Sequence, residues 1–220
     1  MDSTSISINT PMHPFWETLF SLPPWMSFGF AIIISSIAVF LQQEVLLTEN
    51  LYFNTFGEQM AYERIKDMIE QQRKYKWVAY SITPIVLLLQ VLLITICLNI
   101  GTILYEYKLS FRKLFGMVTR AMVWIALIGS LQMLPLLLTD IETIDQLIGI
   151  DWFSVAALLG EVDLPIWVVV PLKMLNLILL LSFLVLAGGM YWLTRRPYHK
   201  MLSFVLGTYG TGMLLLVLVL

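Results

Sequence analysis

The sequence predicts an all-α integral membrane protein: a bundle of five transmembrane helices with additional interfacial helices. Three observations carry this. Of the 220 residues 59% are apolar and only 13% charged, against about 45–50% and about 25% in soluble domains, and the mean hydropathy is +0.82. Five stretches approach the roughly 20 apolar residues that a helix needs to cross a hydrocarbon core about 30 Å thick. The links between those stretches also differ sharply in charge, two being basic and one acidic.

Several classes of function drop out on composition. A net charge of −2 argues for neither nucleic acid nor a polybasic membrane surface. One cysteine, Cys97, excludes an internal disulfide framework, and the two histidines, His13 and His199, leave little for a metal or catalytic site. No serine or acid pair with a nearby base, and no phosphate-binding glycine loop, is evident. No catalytic, cofactor-binding or metal-binding residues are expected.

Residues 1–24 read as an interfacial N-terminal segment: Pro14, Phe15, Trp16, Phe20, Pro23, Pro24 and Trp25 suggest an interfacial helix turning into the first span, with the aromatics among them as anchors. That span, 25–43, has no Lys or Arg before it, unlike a cleaved secretory signal. Residues 54–77 form a polar outer loop. Within it, 58–76 (EQMAYERIKDMIEQQRKYK) is helical by pattern, with Ala61, Ile65, Met68, Ile69 and Gln72 on one stripe. Glu70 and Lys74 are spaced as an i, i+4 pair, and Asn54 and Thr55 are suitable caps. Such a helix is either a solvated extension of the next span or a partner-binding element. The second span, 78–105, carries no charge at all.

The third span covers 121–139 and leads to an outer acidic loop, 140–163, holding Asp140, Glu142, Asp145, Asp151, Glu161 and Asp163 but no Lys or Arg. The run after Asp151, WFSVAALLG, is too short to cross and reads as an interfacial helix or re-entrant hairpin. The fourth apolar stretch, Leu164 to Thr194, would exceed about 40 Å as a helix. Pro165 and Pro171 favour an interfacial start, so the crossing is placed at 166–194. The fifth span is 201–220.

Cytoplasmic links carry an excess of Lys and Arg. Lys108, Arg112, Lys113 and Arg120 lie between spans two and three, and Arg195, Arg196 and Lys200 between spans four and five. Both links are therefore expected inside, with the acidic loop and the C-terminus outside and the N-terminus cytoplasmic. Residues 44–77 run against this scheme, since the five-span form puts them outside although they hold Arg64, Lys66, Arg73, Lys74 and Lys76 beside six acids.

Polar residues within apolar spans usually face the bundle interior. Gln90, Asn99, Gln132, Lys173 and Asn176 are the candidates. They read either as interhelical hydrogen-bonding groups, with Lys173 snorkelling to the outer surface, or as a polar path across the bundle. Small residues permit close helix approach. On this ground Gly207, Gly210 and Thr211 of the last span are expected to dock against Gly188 and Gly189 of the fourth, at equal depth on either side of the turn 195–200.

The layout resembles a known family. Its carriers are PFWETLFSLPPW before span one, EQMAYERIKDMIEQQRKYK before span two, and YKLSFRKLFGMVTRAMVWIALIGSLQMLP entering span three. VDLPIWVV before span four and TRRPYHKMLSFV entering span five complete the set. Together they are similar to the Yip family of five-span membrane proteins, particularly its bacterial members; the DLYGP element of the eukaryotic branch is represented only by Asp163, Leu164 and Pro165. The resemblance implies a cytosolic N-terminus and a scaffold or adaptor that binds partner membrane proteins or a second copy within the lipid bilayer, as an accessory to trafficking or export. It implies a bacterial inner membrane, with a Golgi or endoplasmic-reticulum membrane as the alternative. The competing reading is a small-solute or lipid transporter.

Overall fold

Pro23 is extended and Pro24 occupies the first helical position, where the missing N–H costs nothing. This is how the first long helix starts in the computed structural model, which describes residues 14–139, 141, 143, 144, 146, 154 and 176–219. Before it lies a short helix α1, Pro14–Leu19. Helix α2, Pro24–Leu41, continues into a π-helical turn, Gln42–Leu46. Then follow α3, Glu49–Phe56, and α4, Tyr62–Leu104. Helices α5, Phe111–Leu131, and α6, Met133–Leu138, form one run interrupted at Gln132. Pro135 has no N–H for the Leu131 carbonyl, and its ring crowds that carbonyl, which accounts for the break. After residue 176 come α7, Leu177–Thr194, and α8, Tyr198–Val205, with a second π-helical turn, Leu206–Gly210, leading into α9, Thr211–Val219.

The described residues are helical without a β-strand; Ser154 and Asn176 form an isolated antiparallel bridge. Among the described residues four helices are long and apolar enough to cross a membrane: Pro24–Leu46, Tyr62–Leu104, Phe111–Leu138 and Leu177–Thr194. The expected fifth span is not among them, although Tyr198–Val219 is helical throughout in three consecutive pieces. The expected acidic loop and the start of the fourth span, Lys173 included, lie outside the described residues apart from a few positions.

Helix α5 is central and packs against α2, α4 and α7; α8 lies along α7, and the second π-helical turn lies on α4. The buried core joins Val91, Ile94 and Leu98 of α4 to Met117, Ala121 and Met122 of α5 and to Leu186 and Met190 of α7. Buried hydroxyls turn back onto their own helices, as Thr95 Oγ1 does to the Val91 carbonyl at 2.6 Å and Ser182 Oγ to the Ile178 carbonyl at 2.7 Å. That satisfies them without water.

The long helices alternate in direction, which sorts the links to two ends. At one end, Arg120 Nε donates to the Leu22 carbonyl at 2.5 Å, and Trp124 Nε1 to the Leu19 carbonyl at 3.3 Å. This basic end collects α1, the α4–α5 turn and the α7–α8 turn. At the opposite end the Ile144 N–H donates to Thr55 Oγ1 at 2.8 Å, bringing the start of the acidic loop onto α3.

Two local expectations are corrected. Asn54 and Thr55 do not cap the following helix; they lie inside α3, where Thr55 Oγ1 bonds the Leu51 carbonyl at 2.7 Å, and α4 starts at Ala61 without a side-chain cap. Capping preference is local, and here the residues serve a helix that forms earlier. Nor do Glu70 and Lys74 form an ion pair among the described residues. Lys74 Nζ lies 5.9 Å over the Tyr75 ring, and the neighbouring Arg73 and Lys76 reach back to Glu49 and Glu44.

Candidate functional site

The polar residues of the apolar stretches do not converge. Gln90 and Gln132 are exposed on the outer faces of their helices, and Asn99 is only partly buried. Asn176 caps α7, its Oδ1 accepting from the Leu179 N–H at 2.8 Å. Lys173 is outside the described residues. Among the described residues no polar path therefore runs between these groups.

The glycines also have different partners from those expected. A Cβ on Gly188 would fall within the Trp16 ring of α1, and one on Gly189 would collide with Met117 of α5 and lie 3.0 Å from Phe20. The expected docking of Gly207 and Gly210 against Gly188 and Gly189 is thus replaced by two aromatic plugs from the N-terminal segment. Trp16 stacks on Tyr198 at 5.8 Å and Phe20 on Trp192 at 5.8 Å; Phe20 is only 1% exposed, a core residue rather than a surface anchor. A Cβ added at Gly207 would meet nothing nearer than Tyr105 Oη at 3.8 Å, and one at Gly210 would make ordinary contact with Phe183 of α7 at 3.7 Å. Thr211 is exposed and bonds the Gly207 carbonyl at 2.8 Å. The close approach of the last helix is to α4: Gly101 receives Thr208, and Gly212 faces Cys97, whose Sγ would lie 2.8 Å from an added Cβ. Gly101 and Gly212 could have been read from the sequence as small residues, but nothing local paired them.

Two constructions remain. At the acidic-loop end, the first turns of α4 lie on α3. Ile65 and Ile69 are buried with Leu51, and the Phe53 and Tyr62 rings stack at 4.9 Å. Arg73 pairs with Glu49, and Lys76 with Glu44 at 2.6 Å, closing a cavity of about 240 Å³ beneath the first π-helical turn. Burial pushes the Tyr52 phenol up, with a side-chain hydrogen bond from Gln72 opposing it. At 43 residues, α4 is about 64 Å long, about twice the hydrocarbon thickness. Its N-terminal arm, residues 62–77, is thereby stiffened, and it leaves Tyr62, Met68, Tyr75 and Trp77 exposed.

At the basic end, the α4–α5 and α7–α8 turns face each other across an open cavity of about 440 Å³. The Arg196 guanidinium lies 4.4 Å over the Tyr107 ring, and Tyr107 packs on Phe204 at 5.3 Å.

No protein-family model, curated protein or solved structure matches this chain.

Proposed function

We propose that the chain is an integral membrane protein crossing the bilayer five times, with Tyr198–Val219 as the fifth crossing and the basic end in the cytoplasm. It acts as a multi-pass scaffold or adaptor, of the kind the Yip-like layout implies, and binds partner membrane proteins. The observation that carries this reading is the stiff arm of α4, clasped by α3 and leaving Met68 and Tyr75, two turns apart on one face, exposed. Exposed aromatic and methionine side chains on a rigid helix favour protein contact. The alternation of helix direction supports the five crossings, since it puts residues 44–77 opposite both basic links. The transporter alternative would need Gln90, Asn99, Gln132 and Asn176 to face one another, and they do not.

Native purification in mild detergent tests the adaptor. A stoichiometric partner is expected with the parent chain and is expected to be lost from Met68→Ser/Tyr75→Ser. Solute flux by the purified protein alone in liposomes would overturn the reading.

A further inference from the structure

The two basic-end turns contain the only non-glycine residues with positive φ among those described, Glu106 at 55° and Arg195 at 57°. Left-handed backbone strains L side chains, and glycine is the usual residue at such helix ends. The carbonyls ending α4 and α7 attract cations, so Arg195, Arg196 and Lys108 are explained by the helices themselves. Glu106 is not: both its backbone conformation and the dipole of α4 disfavour an acid there. Its side chain lines the cavity together with Lys108 and Arg196. None of the three forms an ion pair among the described residues. The cavity thus presents two cations and one acceptor-only carboxylate, a net charge of about +1 at neutral pH.

The framework around these groups is fixed. The Tyr107 N–H donates to the Thr102 carbonyl at 2.8 Å, and Tyr107 is wedged by Phe204, which also meets Tyr105 at 5.4 Å. Thr194 Oγ1 bonds the Met190 carbonyl at 2.7 Å and receives the Arg196 N–H at 3.4 Å. Arg196 is thus held from both sides, its planar fork lying against the Tyr107 ring, with its N–H groups available at the cavity.

We propose that this cavity binds a singly charged glycerol phosphodiester, supplied by an anionic lipid of the surrounding leaflet. Lys108 and Arg196 take the phosphate oxygens, and Glu106 accepts from the glycerol hydroxyl. The ligand's single negative charge matches the cavity's excess, and a headgroup without a donor leaves the carboxylate uncompensated. Basic pockets between helices at the cytoplasmic boundary are suited to anionic headgroups, so the lipid source rests on the membrane-spanning reading.

The test titrates the full chain in detergent micelles with phosphatidylglycerol, phosphatidic acid, phosphatidylcholine and soluble glycerophosphoglycerol, following thermal unfolding and binding. Phosphatidylglycerol is expected to raise the melting temperature in a saturable way and phosphatidylcholine to leave it unchanged. Arg196→Gln is expected to weaken phosphatidylglycerol about tenfold, the loss of one charge-assisted contact. Glu106→Gly is expected to stabilise the lipid-free chain by relieving strain, while abolishing the preference for phosphatidylglycerol over phosphatidic acid. Equal shifts from phosphatidylglycerol and phosphatidylcholine, or an unchanged preference in Glu106→Gly, would overturn the site. An equal response to soluble glycerophosphoglycerol would overturn the lipid as the source. Release of the chain from membranes by alkaline carbonate would instead overturn the membrane reading, which separates the two failures.

Discussion

Trp16 occupies the notch that Gly188 leaves in α7, its ring lying where any larger side chain at 188 would have to go. The contact joins residues far apart in the chain and fixes α1 to the end of α7, where Trp16 also stacks on Tyr198.

Replacing Gly188 by Leu therefore expels Trp16 and is expected to destabilise the protein by about 1–3 kcal/mol, as overpacked sites do. In a double-mutant cycle, Trp16→Ala should recover much of that cost, because the two changes share one space. Thermal unfolding in detergent of the four proteins checks it; additive effects would show that Trp16 does not fill the notch.

The glycines on the two sides of the contact between α4 and the second π-helical turn should rank in an order set by their neighbours. Gly101→Leu drives into Thr208, whereas a Cβ added at Gly207 meets nothing closer than Tyr105 Oη at 3.8 Å. The first is expected to cost about 1–3 kcal/mol and the second to be nearly neutral. The reverse ranking in the same unfolding assay would contradict the packing of the second π-helical turn on α4.

How far the sequence anticipates this structure depends on the range of the interaction. The long apolar helices are legible because transfer into lipid is a property of the segment alone, as in the charge-free 78–105. The continuation of the helical pattern into α4 is legible from the period of Ile65 and Ile69, although the helix starts at Tyr62 and not at residue 58. Partner choice is not: a span apolar on every side has no preferred face, so Gly188 and Gly189 look as ready to accept Gly207 as Trp16 and Phe20. Gln90 and Gln132 mislead for a related reason. The rule that polar residues face the interior assumes a polar partner there, and the described core is largely apolar. Glu106 gave no signal in the sequence, because its oddity lies in its backbone conformation.

The clasp of α3 on α4 should depend on its apolar contacts more than on its ion pairs. Arg73 and Glu49 are 61% and 54% exposed, and such pairs contribute about 0–1 kcal/mol. Arg73→Ala should be almost silent in thermal unfolding. Ile65→Ala empties a buried position and should cost about 2–5 kcal/mol, with faster amide exchange through residues 49–56. Equal exchange in both variants would contradict this division.

Arg120 and Trp124 hold the carbonyls of Leu22 and Leu19. Arg120→Gln should loosen the N-terminal segment, giving faster proteolysis between residues 14 and 22 while the unfolding free energy of the core stays within about 1 kcal/mol. Unchanged cleavage would show that the aromatic plugs alone hold the segment.

Sidedness tests the central claim most directly. In a Cys97→Ala background, single cysteines at Glu70 and at Lys200, both exposed, are labelled in sealed, oriented membranes with an impermeant reagent. The five-crossing account predicts labelling of Lys200→Cys only from the cytoplasmic face and of Glu70→Cys only from the opposite face. Labelling of both from the same face would contradict it.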